Sequence, residues 1–239
     1  MDALITGSSR GIGRAIAVEL AQGGGRVVVN YLQDEAAANE TARLVAEAGG
    51  TPLVVQADVR SEGDCRRLAG ALDRIDVLVH NAAIGALKPF EKIRTPQWDL
   101  TLESSLRPFW LLTRLCLERL APGASVIGIT STGSRGYVPG YAAMGAAKAG
   151  VEALTRQLAV ELAPRGIRVN TVCGGLMDTD ALRYFPDRER MVDFATRYTP
   201  LGRMGQPQDM AGAVRLLVSP QAAFVTGQVL VVDGGLSLL

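Results

Sequence analysis

Histidine occurs once, at position 80, and cysteine three times, at 65, 116 and 173. A single histidine and the lack of any Cys-x-x-Cys pair exclude the usual zinc ligand sets. Three scattered thiols in a chain of 239 residues do not make a disulfide framework. No metal is expected, and the thiols are expected to be free. Neither sign of charge is in excess: 25 Lys and Arg stand against 24 Asp and Glu, so no overall field favours nucleic acid. No apolar run approaches the roughly 20 residues needed to cross a bilayer. Only Met1 and Asp2 precede the first apolar run, which leaves no room for a signal peptide. These absences point to a cytoplasmic protein with neither nucleic-acid nor membrane partners.

What is present is an ordinary globular composition, 48% hydrophobic and 21% charged. Short β-branched apolar runs alternate with longer segments of helical periodicity, the pattern of a parallel sheet with crossover helices. Strands are predicted at Ala3–Thr6, Arg26–Tyr31, Pro52–Gln56, Val77–His80, Ser125–Thr130, Ile167–Val172 and Val229–Val232. Helices are predicted near Gly11–Gln22, Glu35–Ala48, Glu62–Leu72, Trp98–Leu120, Ala142–Ala163 and Gln208–Val218. The expected fold is α/β: a doubly wound, Rossmann-type sheet of seven parallel strands with helices on both faces. No linker, repeat or low-complexity stretch interrupts it, so residues 1–239 read as one domain. The segment from about 176 to 207 breaks the rhythm with three prolines and many charges. It follows the C-terminal end of a strand, where such sheets bind ligands, and is expected to be a substrate loop or lid.

Thr6-Gly7-Ser8-Ser9-Arg10-Gly11-Ile12-Gly13 follows the first strand and opens the first helix. Glycine there lets backbone turn tightly and approach a pyrophosphate, which meets the free N–H groups at the helix start. The spacing Gly-x3-Gly-x-Gly differs from the Gly-x-Gly-x-x-Gly dinucleotide fingerprint. It resembles the Thr-Gly-x3-Gly-x-Gly motif of the short-chain dehydrogenase/reductase family, and the resemblance spans essentially the whole chain. Asp58-Val59 resembles the family's adenine-contacting Asp. His80-Asn81-Ala82-Ala83 partly matches its Asn-Asn-Ala-Gly segment, with His80 a structural replacement. Cys173-Gly174-Gly175, followed by Asp178-Thr179-Asp180, stands where the family has Pro-Gly, and backbone there is implied at the nicotinamide carboxamide. The implied cofactor set is Gly7, Ser9, Arg10, Gly11, Ile12, Gly13, Asp58, Val59, Asn81, Ala82, Ala83, Lys148, Gly174 and Thr179.

Sites for NAD place a carboxylate at the end of the second strand, where it would repel a 2′-phosphate. This chain has Asn30 and Tyr31 at that cofactor position. Arg10, inside the glycine turn, can reach a phosphate with a forked pair of bonds. Asp34, just ahead of Glu35-Ala36-Ala37, reads as a helix N-cap. The expected cofactor is NADPH.

Tyr141 and Lys148 lie seven positions apart, close to two helical turns, so both should face one side of a helix. An ammonium beside a phenol should lower its pKa and let it trade a proton or stabilise an oxyanion. Most family members have Tyr-x3-Lys, but the residue four before Lys148 is Met144, which cannot donate. The Tyr-x6-Lys spacing resembles the enoyl-acyl carrier protein reductases, and enoyl-ACP reductase III most. Further matches to that branch are Trp98-Asp99, Ala181-Leu182, Phe185-Pro186, Thr199-Pro200, Gly202-Arg203-Met204 and Val232-Asp233-Gly234-Gly235. That branch uses NADPH. The implied activity is reduction of a trans-2-enoyl thioester, carried by an acyl carrier protein or coenzyme A. Ser131 is a third candidate catalytic residue, at the place where the family's ketoreductases bond the substrate carbonyl. Ser105 stands where those ketoreductases keep the Asn of a proton relay. The alternatives are a ketoreductase using Tyr137 or Tyr141 and a nonenzymatic NADPH-binding protein.

Apolar residues spread widely around Trp98–Leu120, including Leu102, Leu106, Phe109, Trp110, Leu111, Leu112 and Leu115, which implies a second buried face. The resemblance implies pairing of this helix and the Lys148 helix across two-fold axes, in a homodimer or homotetramer. Arg183, Arg188, Arg190, Arg197 and Arg203 make the lid basic and able to attract an acidic carrier or a thioester's phosphates.

Overall fold

The computed structural model describes residues 1–180, 182, 185 and 188–239. Ala181, Arg183 and Pro186, named above for the resemblance or for the lid's charge, lie outside them. Seven strands form one parallel sheet: β1 (Ala3–Ile5), β2 (Arg26–Tyr31), β3 (Thr51–Gln56), β4 (Ile75–His80), β5 (Leu120–Ser131), β6 (Arg168–Gly174) and β7 (Val229–Val232). Their order is β3-β2-β1-β4-β5-β6-β7. The winding reverses between β1 and β4, so the segments leaving those strands diverge and open a crevice at their C-terminal ends.

The core divides between the two faces of the sheet. On one, Val27, Val29, Ile5 and Val79 pack beneath α1 (Gly11–Ala21), α2 (Glu35–Glu47) and α8 (Pro207–Val218), through Ile16, Leu20, Val45 and Val214. On the other, Leu4, Val28, Leu78 and Val126 meet Leu68 of α3 (Glu62–Ala69), Phe109 and Leu112 of α5 (Arg107–Cys116), and Val151 of α6 (Ala142–Leu162). Strands buried on both sides need no polar alternation, which explains their continuous Val/Ile/Leu character.

Two helical expectations are corrected. The segment expected as a single helix over Trp98–Leu120 is two helices, α4 (Thr95–Ser105) and α5, and Leu120 already belongs to β5. The chain turns at Leu106 (φ −111°, ψ −56°) because Pro108 has no N–H to continue the ladder and is tolerated only in a first helical turn. The lid also contains a helix, α7 (Arg188–Tyr198), although no helix was expected there. Its signal was present in Met191, Phe194, Ala195 and Tyr198, spaced i, i+3, i+4, i+7, but only Ala195 of these is buried. The lid is tied at its base, where Asp178 N–H donates to Gly205 O (2.8 Å) and Gly205 N–H to Leu176 O (3.2 Å).

Among the described residues no helix is long and apolar enough to cross a membrane. Cys65, Cys116 and Cys173 are free and buried, and burial raises all three thiol pKa values.

Candidate active site

The glycine turn leaves β1 through Gly7 (φ +62°) and enters α1 through Gly11 (φ +57°). A Cβ on Gly13 would overlap the Gly7 carbonyl and the Asn81 amide, so backbone lies where a side chain would otherwise stand. Asn81 donates through Nδ2 to the carbonyls of Thr6 (3.0 Å) and Gly7 (2.9 Å). Thr6 Oγ1 accepts from the backbone N–H groups of Asn81 and Ala82. Asn81 and Ala82 thus fasten the β4 exit to the β1 exit, with Ala83 following. Thr179, past the end of β6, reaches within van der Waals distance of where a Gly11 side chain would lie, which brings the two rims of the crevice together.

Several residues expected at the cofactor are engaged within the protein itself. The Asn30 amide is buried and fully occupied: Oδ1 accepts from Gly7 N–H (2.9 Å), while Nδ2 faces the carbonyls of Tyr31, Val55 and Ala57. Tyr31 lies in the core, as does Val59, and Ile12 packs partly against it. Asn30, expected at the cofactor together with Tyr31, is thus taken up in holding the turn, and Tyr31 is 8% exposed; what both contribute is the lack of a carboxylate. The Asp58 carboxylate is engaged by Arg60 through Nε (2.9 Å) and the backbone N–H (2.9 Å), and this guanidinium keeps its pKa below the usual carboxylate range. Asp34 caps α2 by accepting from Ala37 N–H (2.9 Å), as its place in the sequence suggested. Arg10 makes no side-chain capping bond at the N-terminus of α1 and lies 3.9 Å from Asp34, with both side chains about half exposed.

One supporting residue was not foreseen. Arg14 donates from Nη2 to Ser9 O (2.7 Å) and Ala37 O (3.1 Å) and from Nε to Thr41 Oγ1 (2.9 Å), while the buried Thr41 hydroxyl also reaches Ser9 O (2.9 Å). Together they clamp the glycine turn onto α2. An arginine one turn into an amphipathic helix looks like a solvated charge in the sequence.

At the far side of the crevice, Tyr141 is the N-cap of α6 and Lys148 lies two turns inside it. Gly133 makes room for the Tyr141 ring, since a Cβ there would overlap it. The phenol oxygen is 2.9 Å from Ser131 Oγ at the end of β5. Phe185, from the lid, stacks on the ring at 6.1 Å and 15°. Tyr141, Ser131 and Lys148 are thus gathered at one end of β5. Tyr137, the alternative tyrosine, is 90% exposed. Met144 is buried toward Gly85 and Thr101.

The expected action of Lys148 on the phenol is corrected. Lys148 Nζ is buried and donates to Ile129 O at 2.7 Å, and among the described residues it makes no hydrogen bond to Tyr141. Burial raises the Tyr141 pKa, and the Ser131 bond only partly opposes it. The phenol therefore holds its proton at neutral pH and is poised to donate. Burial also pushes Lys148 down to about 8.

Ser105 and Ser104 both face Ile84 O, so they brace the segment after β4. His80 Nε2 pairs with Thr113 Oγ1 (3.0 Å), and its ring meets Phe109 edge-on. Burial pushes His80 down to about 3, which keeps it a neutral structural residue.

Residues 7–237 match the family model described as "Enoyl-(Acyl carrier protein) reductase". The 1-cyclohexenylcarbonyl-CoA reductase of Streptomyces collinus is 40% identical, over 99% of this chain and 86% of that protein. A 3-oxoacyl-[acyl-carrier-protein] reductase of Synechocystis sp. is 38% identical, over 98% of this chain and 96% of the relative. The crystal structure of the angucycline C-6 ketoreductase LanV with bound NADP superimposes with a TM-score of 0.91, at 29% identity, covering 100% of this chain and 96% of that one. The parallel sheet, the glycine turn at its switch point and these similarities over nearly the full length agree: the chain belongs to the short-chain dehydrogenase/reductase family of oxidoreductases.

Proposed function

We propose that the protein is an NADPH-dependent reductase of the carbon–carbon double bond of a trans-2-enoyl thioester. The observation that carries this reading is the position of the proton donor: Tyr141 stands seven residues before Lys148, while position 144 holds a buried methionine. In ketone reduction, hydride and acid act on the two atoms of one bond. In enoyl reduction, hydride goes to Cβ while charge develops on the thioester oxygen several bonds away. Moving a tyrosine from four to seven positions before the lysine shifts it by about 4.5 Å along a helix, the scale of that separation. The Streptomyces collinus relative supports the reading, because the substrate in its name is itself an α,β-unsaturated acyl thioester.

The glycine cradle and the uncapped start of α1 fit a pyrophosphate. Arg10, half exposed and, among the described residues, paired only with Asp34 at 3.9 Å, has a guanidinium available for a 2′-phosphate. When bound, NADPH supplies the hydride. The protein's own part is to hold the thioester oxygen against the Tyr141 and Ser131 hydroxyls, which lie close enough to serve one oxygen together. The raised phenol pKa keeps Tyr141 in the donating form. A proton then reaches Cα from Tyr141 or solvent. The expected preference for NADPH over NADH is at least about tenfold in kcat/KM; equal efficiencies with the two would contradict the role of Arg10.

A second reading, 3-ketoacyl reduction, is favoured by the Ser131–Tyr141 contact, which suits a carbonyl equally well, and by the presence of ketoreductases among the similar proteins. Initial rates at fixed NADPH with enoyl and 3-ketoacyl thioesters of equal chain length separate the two. The enoyl substrate should be faster; a faster keto substrate would replace the first reading by the second.

We also propose a homo-oligomer. Leu102, Leu106 and Trp110, from α4, α5 and the turn between them, line an apolar groove with Gly150 and Leu154 of α6, and Trp110 is 44% exposed there. Light scattering at micromolar concentration should give a dimeric or tetrameric mass, and a monomer would overturn this.

A further inference from the structure

We propose that Glu152 is a positioning residue that sets the register between the two elements carrying the candidate catalytic groups. This rests on the reading of Tyr141, Ser131 and Lys148 as that group. Glu152 lies one turn beyond Lys148 on α6 and is 5% exposed, on the helix face packed against β5 and β6. A buried carboxylate there is costly unless its oxygens are bonded, and they are. Oε1 accepts from Thr130 Oγ1 (3.1 Å) and Ser134 Oγ (2.6 Å), and Oε2 accepts from Arg135 Nε (2.9 Å).

All three donors belong to the stretch that brackets Ser131. Thr130 immediately precedes it, and Ser134 and Arg135 follow in the turn after β5. Ser134 Oγ also lies 2.8 Å from Ser131 O. Ile129, whose carbonyl holds Lys148 Nζ, is one residue further back. A single side chain on α6 thus grips both sides of Ser131, while the same helix carries Tyr141 at its cap and Lys148 in its first turns. Without that grip, the 2.9 Å Ser131–Tyr141 contact would lose the three side-chain bonds that tie the residues around Ser131 to α6. Arg135 is half exposed, so the network is a sealed joint with one cation at its surface.

A displacement of about 1 Å in a catalytic group can lower turnover by roughly 10². The prediction is correspondingly a selective loss. With whichever thioester the wild-type enzyme reduces, Glu152→Ala should lower kcat by roughly 10²-fold, with the KM for thioester and the Kd for NADPH within about threefold. Glu152→Gln keeps an acceptor oxygen for Thr130 and Ser134 and should restore kcat to within about tenfold of wild type. Thr130→Val/Ser134→Ala leaves the carboxylate paired with Arg135 and should lower kcat by about tenfold or more. Circular dichroism and cooperative unfolding report whether each variant is folded. A folded Glu152→Ala with kcat within threefold of wild type overturns the proposal, as does a Gln variant no better than Ala. If Glu152→Ala does not fold, the Thr130/Ser134 variant decides, and wild-type turnover in it is equally fatal. Tyr141→Phe in the same assay keeps the two claims apart: full activity there defeats the reading of the site, whereas its loss beside an active Glu152→Ala defeats only this inference.

Discussion

Replacing Tyr141 by phenylalanine is expected to lower turnover by roughly 10² to 10³, about what the loss of one oxyanion-hole donor costs elsewhere. The ring is the structural part of the side chain, stacked on Phe185 and seated against Gly133, and phenylalanine preserves it. The hydroxyl is the chemical part. Among the described residues it makes one hydrogen bond, to Ser131, and burial keeps its proton in place. NADPH affinity should stay within a few-fold of wild type, measured by quenching or by titration calorimetry. An undiminished rate in Tyr141→Phe would remove the phenol from the mechanism.

Lys148→Met is expected to abolish turnover and weaken NADPH binding, yet to make the protein more stable at neutral pH. The ammonium is buried and, among the described residues, donates to a single partner, Ile129 O. Burial depresses its pKa from 10.5 to about 8, which fixes the direction of the linkage. Above pH 10.5 the amine is neutral in both the folded and the unfolded chain. As the pH falls toward 8, the unfolded chain takes up the proton first and stability is lost. Below 8 the full cost remains, roughly 3 kcal/mol from the size of the depression. Methionine fills a similar volume without the charge and forfeits one hydrogen bond worth about 1 kcal/mol. The net gain at pH 7 should be about 1 to 2 kcal/mol by denaturant titration, vanishing toward pH 10.5. A variant less stable than wild type at pH 7 would show that Lys148 is better solvated than its surroundings suggest. The trade of stability for a buried functional charge is a common one.

The parts of this fold written in local pattern were legible in the sequence. β2 and β7 are found with the expected limits, Arg26–Tyr31 and Val229–Val232, because a short continuous apolar run rich in β-branched residues reads as a strand whether it is buried, as β2 is, or half-buried at the sheet edge, as β7 is. The glycine turn was legible because strand, glycines and helix are contiguous. What escaped was set by distant partners. Asn30 was expected at the cofactor because it lies at the end of the second strand, where NAD sites keep a carboxylate, but its amide is claimed by Gly7 on one side and β3 on the other. Arg14 and Glu152 sit on helices as ordinary charges, and only the fold shows one clamping Ser9 and the other gripping Thr130 and Ser134. The lysine–phenol pairing failed for a related reason. Seven positions place Tyr141 and Lys148 on one face, but side-chain direction was decided by the Ile129 carbonyl, which no spacing reveals.

The central claim is that hydride is delivered to a carbon separated from the oxygen that Tyr141 holds. The most direct test supplies the wild-type enzyme with an equimolar mixture of a trans-2-enoyl thioester and the 3-ketoacyl thioester of equal length, together with NADPH deuterated at the transferring C4 position. Mass spectrometry and NMR then locate the label. The account predicts a saturated acyl thioester labelled at C3, with the new hydrogen at C2 drawn from solvent. Label found predominantly on the carbinol carbon of a 3-hydroxyacyl thioester, with the enoyl substrate left unreduced, would contradict it.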